Sequence, residues 1–372
     1  MENNIGCEID FLPVGNGDKS GDAIAVRYGS FGNYKIMVYD GGTKESGEAL
    51  VDHIRKYYGT SRIDYVVNSH PDSDHASGLS VVLEKLDVGE LWMHRPWEHS
   101  SKILNSFRDG RITKNSLSDR LKESLNAAYR LEELAKEKNI LIHEPFSGNS
   151  IGDFIVLSPE KEWYSNNLIP EFNKSPEQKE IKESYFNPNN FLQSLNEGIS
   201  YVRSILVNSS WDFDTLSDDV ETSAENESSV ILFWPFKNHP ILLTGDAGIH
   251  ALEKASYFAE LKFNVHLHKI LKFIQIPHHG SRHNVSSSLL DKIVGMRKDR
   301  NDGLISKTAF VSSSKESTIH PRKAVINSFI RRGVKVFNTQ GRAIRHPFNM
   351  PKRQGWVPLT PVEFSDEEEV WD

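Results

Sequence analysis

Apolar and polar positions alternate with a period of two over Cys7 to Val14, Ala23 to Tyr28 and Tyr34 to Tyr39, with Gly- and Asn-containing turns between them. Alternation of this kind buries one face of each strand, so the run predicts an antiparallel β-meander. A helix is predicted over residues 46–58, then a buried strand at Ile63-Asp64-Tyr65-Val66-Val67 that leads into a helix over Leu79 to Leu86. Leu91-Trp92-Met93 reads as a further strand. Leu117, Leu121, Leu125, Ala128 and Leu131 recur at helical spacing, which predicts one surface helix over 113–138 with Ser116 and Asp119 capping its start. Two strands follow over 139–159 through the turn Ser147-Gly148-Asn149-Ser150. From Glu160 to Glu225 the rhythm breaks into acidic, Asn-rich, Pro-containing sequence, with one predicted helix around Phe191 to Leu206. Beyond it, strands at 228–235, 240–246, 270–277, 308–313 and 334–338 alternate with helices at 249–262, 286–294 and 322–331, an α/β pattern.

Chemistry gathers where these strands end. The first metal-capable run is Asn68-Ser69-His70-Pro71-Asp72-Ser73-Asp74-His75, on the strand-to-helix loop. Alternate side chains of an extended segment share a side, so His70 and Asp72 can face one centre. Asp74 and His75, where the chain turns into the helix, can face a second. Imidazole nitrogen and carboxylate oxygen suit zinc or manganese, and two such ions about 3.5–4 Å apart form a hydrolytic clamp. A plain helix cap would employ Asp74 alone and leave Asp72 and both histidines idle. The strand Pro240-Ile241-Leu242-Leu243 ends in Thr244-Gly245-Asp246, and Phe273-Ile274-Gln275-Ile276 ends in Pro277-His278-His279-Gly280-Ser281. Each alone is compatible with an ordinary turn. Three strand ends that all deliver ligand-type side chains point to one metal pocket.

The order His70-x-Asp72-x-Asp74-His75, Thr244-Gly245-Asp246 and His278-His279-Gly280-Ser281 resembles the metallo-β-lactamase superfamily. Within it the likeness is to the hydrolase domain of the DNA-uptake protein ComEC and its soluble relatives. Gly15-Asn16-Gly17-Asp18, Asp40-Gly41-Gly42, Asn226-Glu227-Ser228-Ser229 and His320-Pro321 match further motifs, and the resemblance covers roughly residues 5–100, 139–160 and 226–346. It implies an αββα sandwich of two mixed sheets flanked by helices, in one domain over 1–372. A helical excursion at about 100–138, an acidic insertion at about 160–225 and an acidic tail at about 364–372 would decorate it.

The resemblance further implies that His70 and Asp72 hold one ion, that Asp74, His75 and His279 hold the other, and that Asp246 bridges them. Asp74, His278 and His320 are the expected catalytic side chains, His278 or His320 as proton donor. Ser281, Asn226 and Arg95 are expected on the substrate side. Many members carry histidine where Asp72 stands. Phosphoester-hydrolysing relatives share the aspartate, which points away from β-lactams. The fold usually supplies one more histidine before the bridging aspartate. His143 falls in a predicted strand and Asn226 takes roughly the expected place, so one ion and two both stay open, as do zinc and manganese.

Composition narrows the class. With 372 residues, 38% hydrophobic and 26% charged, the chain is ordinary for a globular protein. No apolar run approaches the ~20 residues of a membrane span, and no signal-like start is visible. A single cysteine, Cys7, permits no intrachain disulfide, and the expected location is the cytoplasm. The net charge of −7 is uneven: residues 269–353 carry 18 Lys and Arg against 4 Asp and Glu. That segment reads either as a solvated basic face or as a phosphate-tracking surface beside His278 and His279. The leading expectation is a phosphodiesterase or nuclease acting on DNA through a metal-activated hydroxide. A small phosphoester or cyclic-nucleotide hydrolase is the alternative. A metal-stabilised binding subunit, with the 160–225 insertion meeting a protein partner, is a reading from a different class.

Overall fold

The computed structural model describes residues 5–15, 21–104, 113–172, 206–300 and 307–369. In chain order the strands are β1 (Ile5–Phe11), β2 (Ala23–Ser30), β3 (Asn33–Gly41), β4 (Arg62–Val67), β5 (Asp87–Trp92), β6 (Leu141–His143), β7 (Ser150–Ile151), β8 (Phe154–Ser158), β9 (Leu206–Asn208), β10 (Ile231–Trp234), β11 (Ile241–Leu243), β12 (Phe273–Gln275), β13 (Lys307–Val311), β14 (Val334–Asn338), β15 (Ile344–Phe348) and β16 (Glu367–Glu369). Seven strands form a first sheet in the order β15-β1-β2-β3-β4-β5-β6, and seven form a second in the order β14-β13-β12-β11-β10-β8-β7. Each sheet is mixed. β3 to β6 run parallel in the first, β11 to β14 in the second, and the remaining pairs are antiparallel.

Alternation assigns each side chain its layer. On β1, Cys7, Ile9 and Phe11 enter a core shared with Phe154, Leu232, Trp234, Phe273 and Phe310, which lies between the sheets. Val38, Val66 and Leu91 face the other way and pack on Leu50, Leu79, Val82 and Leu131 of the flanking helices. Leu242, Ile274, Ala309 and Val336 do the same for the second sheet, against Leu252, Leu289 and Phe329. Two helix-covered outer faces around one inter-sheet core make the metallo-β-lactamase αββα sandwich. Among the described residues, no helix is long and apolar enough to cross a membrane.

Helix α1 (Lys44–His53) and helix α2 (Ser73–Lys85) meet backbone to backbone beside β3. A Cβ on Gly78 would lie 1.9 Å from the Gly41 carbonyl oxygen, so only glycine lets α2 seat this close. That seat fixes the first turn of α2, where Asp74 and His75 stand.

The structure departs from the sequence reading in five places. The helix expected over 113–138 is two, Lys114–Ser124 and Asn126–Glu137, broken at Leu125, and Thr113 with Ser116 forms the capping box instead of Ser116 with Asp119. β15 was not expected; it extends the first sheet by pairing with β1. The acidic tail is solvated at Glu367 but buried at Glu368 and Glu369. It forms a strand with β9, and Glu368 is buried against Arg331 (2.7 Å) and Asn327 (2.7 Å). The flanks of the acidic insertion are packed: Tyr164, Ile169 and Phe172 enter the core of the first sheet. The helix expected around 191–206 lies outside the described residues, apart from Leu206, which begins β9.

The fifth departure is the basic segment, several of whose cations are neutralised from within. Arg331 and Arg332 are buried on Asp214, Glu368 and Asp291. Arg345 and Arg353 pair with Glu8, and Arg353 also pairs with Asp10. Lys315, Arg322 and Arg342 have no ion pair among the described residues. They lie on the loops that follow β13 and β14, and the Arg322 N–H donates to the Gly280 carbonyl (3.1 Å).

Candidate metal centre

Parallel strands send their C-terminal ends to one rim, and the two sheets bring their rims together. Asp40 closes β3, Asn68 to His75 follow β4, Asp246 follows β11, and His278 and His279 follow β12. The floor is stitched across the sheets: the Tyr39 hydroxyl donates to the Val230 carbonyl (2.7 Å), the Val230 N–H to the Ser69 carbonyl (2.9 Å), and Gln275 Nε2 to Asp22 Oδ2 (2.7 Å).

Asp246 Oδ2 is the point of convergence. The Nε2 atoms of His75, His278, His279 and His70 lie 3.3, 3.7, 3.7 and 3.9 Å from it, and His70 Nε2 is 3.8 Å from Asp72 Oδ2. Asp74, His75 and His279 bring one ligand atom each within 4.8 Å of one another, as do Asp22, Asp246 and His279. Donors on one tetrahedral ion at about 2.1 Å would stand about 3.4 Å apart, close to these spacings.

The histidines are held in the tautomer a cation needs. Asp40 accepts from the Ser69 N–H (2.7 Å), the Ser69 hydroxyl (2.5 Å) and His75 Nδ1–H (2.9 Å). Because Ser69 Oγ gives its proton to Asp40, it receives one from His70 Nδ1 (2.9 Å). One buried carboxylate therefore turns Nε2 of both His70 and His75 inward, as outer partners of metal-binding histidines do. Asp40, His70 and His75 likewise bring one ligand atom each within 4.8 Å of one another. With its oxygens already engaged, Asp40 is the orienting group.

The donor atoms are otherwise orphaned. His70 Nε2, His75 Nε2, both His279 nitrogens and Asp246 Oδ1 are buried without a hydrogen-bond partner among the described residues. Buried polar atoms left unpaired are costly, and a divalent cation would pair all of these at once. The residues thus fit a metal.

The negative charge of the centre draws a proton where a cation would otherwise sit. Burial opposes the charged form of His75, yet Asp246 and Asp40 hold its pKa well above the usual imidazole value. Burial would likewise raise Asp246, but His75, His278 and His279 hold it well below the usual carboxylate range. Burial pushes Asp22 up to about 7, raises Asp74 and drops His279 to about 3. Backbone strain marks the same atoms: Asp40, His278 and His279 take φ of 59°, 46° and 56°. Left-handed conformations at such residues cost on the order of 1–3 kcal/mol each and persist where the surroundings enforce them.

The other expected residues fall as follows. His320 is nearly buried, its Nδ1 has no hydrogen-bond partner, and its ring lies 6.1 Å from that of His278. Burial holds His320 well below the usual imidazole value, so it has no proton to give at neutral pH until an anion lies against it. Ser281 is buried, its N–H donating to the His278 carbonyl (2.9 Å). Asn226 Nδ2 lies 3.1 Å from His278 Nδ1 and donates to Thr222 Oγ1 (3.1 Å). Arg95 pairs with Glu132 (3.3 Å), and the Trp97 indole donates to the same carboxylate (2.7 Å). The His143 ring packs against that of Trp92, 4.7 Å between centroids and tilted by 31°. Asp18 lies outside the described residues.

Asp22, Gln275 and Asn284 escaped the sequence reading. Gln275 accepts from the N–H groups of Thr244 (2.9 Å) and Gly245 (3.1 Å), so it ties the Asp246 turn to Asp22. The signal for Asp22 was an acid directly before an alternating strand, overshadowed by the glycine turn upstream.

The family model described as the metallo-beta-lactamase superfamily matches residues 17–119. The comparison with curated proteins found no match. Among solved structures, unliganded yeast PDE1 is similar at 11% identity and a TM-score of 0.40, over 90% of this chain and 97% of that one. A long form RNase Z from yeast is similar at 11% identity and 0.37, over 92% and 41%. A metallo beta lactamase from Hirschia baltica is similar at 13% identity and 0.29, over 80% and 95%. The matched stretch contains Asp22, Asp40, His70, Asp74 and His75, and with the two-sheet architecture it supports the metallo-β-lactamase superfamily for this chain.

Proposed function

We propose that this chain is a metal-dependent hydrolase of phosphodiesters, with nucleic acid as its substrate, and that it stands nearest the ComEC-like branch of the superfamily. The observation that carries the reading is the convergence of four imidazole Nε2 atoms on Asp246 Oδ2, those of His70, His75 and His279 without a hydrogen-bond partner among the described residues. His70, Asp72, Asp74, His75, Asp246 and His279 would hold one or two divalent cations, zinc or manganese, and Asp22 adds a carboxylate that the sequence did not disclose. Such cations supply Lewis acidity and bring the pKa of water down to about 7.

The chain's own groups do the rest. Asp40 and Ser69 fix the direction of His70 and His75. Gln275 fixes the Asp246 turn against Asp22. His320 takes a proton once substrate anion lies beside it and passes that proton to the leaving oxygen. Lys315, Arg322 and Arg342 receive phosphates of the flanking strand. The carboxylate-rich donor set and Asp72 favour phosphoesters over β-lactams.

The test is pure protein, loaded with manganese or zinc, on linear single- and double-stranded DNA and on RNA. Release of nucleotides that disappears in Asp74→Ala supports the proposal; no release from any polymer removes the nuclease reading. One observation favours a smaller phosphoester or cyclic nucleotide: Arg331, Arg332, Arg345 and Arg353 of the basic segment are engaged in internal ion pairs, which withdraws their charge from a phosphate-tracking surface. Hydrolysis of small diesters alone would select it.

A further inference from the structure

We infer that His278 is a metal ligand, so that both consecutive histidines after β12 hold cations and His278 completes the donor set of the ion bound by His70, Asp72 and Asp246. This rests on the hydrolase reading and alters the role of one of its residues. Four observations support it.

First, His278 Nε2 stands 3.7 Å from Asp246 Oδ2, the same distance as His279 Nε2 and less than that of His70 Nε2. Second, the far side of the ring is anchored. Nδ1 lies 2.8 Å from Asn284 Oδ1 and 3.1 Å from Asn226 Nδ2; because Asn284 spends its Nδ2 on the Asp246 carbonyl, its oxygen faces the ring and accepts the Nδ1 proton, which leaves Nε2 bare toward Asp246. Asn284 Nδ2 also donates to the Asp246 backbone carbonyl (2.8 Å), so one amide aligns the ring and the carboxylate with each other. Anchoring of the second nitrogen is the usual habit of a metal-binding histidine.

Third, φ of 46° at His278 and 56° at His279 puts successive bulky residues in left-handed backbone, where Gly280 (φ 84°) follows. Such a turn aims both rings at Asp246. A Cβ at Gly280 would lie 2.6 Å from Pro321 Cβ, so the turn is braced by the loop that carries His320. Fourth, without His278 that ion would have one imidazole against two carboxylates, because the Asn226 amide is directed at the His278 ring and Thr222. A histidine that binds a cation through Nε2 cannot donate a proton from that atom, so the proton-donor role passes to His320.

Cobalt(II) tests the assignment without relying on turnover. Wild type, His278→Ala, His278→Cys and His320→Ala are loaded with Co2+, dialysed and read by metal analysis and absorption. Cys7, the one native cysteine, is buried in β1, so wild type gives no thiolate signal. The expected results are a strong near-ultraviolet thiolate-to-cobalt band in His278→Cys and at least tenfold weaker binding of one cation in His278→Ala. His320→Ala keeps the wild-type content. A cobalt-loaded His278→Cys without that band, or His278→Ala with wild-type content and affinity, overturns the assignment and leaves the hydrolase reading standing. A wild type that takes up no cobalt, zinc or manganese removes both.

Discussion

Two buried groups of charged side chains belong to the first sheet, and they are finished in opposite ways. On the helix-facing side of β1, Glu8 pairs with Arg27, Arg345 and Arg353, while Asp10 takes Arg353 (2.8 Å), the Tyr58 hydroxyl (2.7 Å) and His53 (3.1 Å). Every carboxylate oxygen there meets a cation or a donor. At the strand ends, Asp246 Oδ1 has no hydrogen-bond partner among the described residues, and the Nε2 atoms of His70, His75 and His279 share the single oxygen Asp246 Oδ2 at 3.3–3.9 Å without a hydrogen bond. Burial is equal in the two places; satisfaction is not. A saturated charge cluster latches the chain, here by tying the segment around Arg353 to β1, whereas an unsaturated one presents donor atoms that can receive a ligand of opposite charge.

Breaking the unsaturated cluster gives the largest effect expected. The double variant His70→Ala, Asp74→Ala should drop from one or two equivalents of zinc or manganese per chain to less than about a tenth, since ligands of both ions are removed. Elemental analysis checks this, and full retention would refute the ligand assignment. Breaking the saturated cluster should do the reverse. Arg353→Ala leaves Glu8 and Asp10 buried with less compensation and should lower stability by about 3 kcal/mol in urea unfolding, with metal affinity unchanged. Loss of metal with no loss of stability would contradict the latch.

The contrast sharpens at Asp40, which is saturated yet serves the site. Asp40→Asn keeps the shape but weakens the pull on His75 and Ser69, and metal affinity should fall about 10- to 100-fold in competitive chelator titrations. The smallest effect concerns pH. His94 and His346 are pushed down to about 3 and His239 to about 4, in each case chiefly by burial. The unfolded chain therefore binds protons near the ordinary histidine pKa of about 6.5 while the folded chain does not. Stability should fall as pH drops from about 6.5 toward 4, and His94→Phe should flatten part of that slope in melting curves. A melting temperature independent of pH across that window would show that these rings are not held neutral.

The metal rim was legible because ligand residues interrupt apolar strands at places where chain geometry leaves few other uses for them. His70, Asp74, His75, Asp246 and His279 each follow a readable strand. Asp22 and Gln275 were not legible, since an acid before a strand and an amide inside one acquire meaning only when the two sheets face each other. The basic segment misled for the same reason: Arg331, Arg345 and Arg353 find their acids at Glu368, Glu8 and Asp10, far away in sequence. Local periodicity placed β1 to β4 well, but β15 and β16 are defined by partners more than a hundred residues distant and carry little alternation of their own.

The most direct measurement is anomalous scattering from crystals grown with manganese or zinc. The account predicts a peak bonded at about 2.0–2.2 Å to Asp246 and to the Nε2 atoms of His75 and His279. A metal-free centre under saturating cation, with those nitrogens hydrogen-bonded to water or to Asp246 instead, would contradict it.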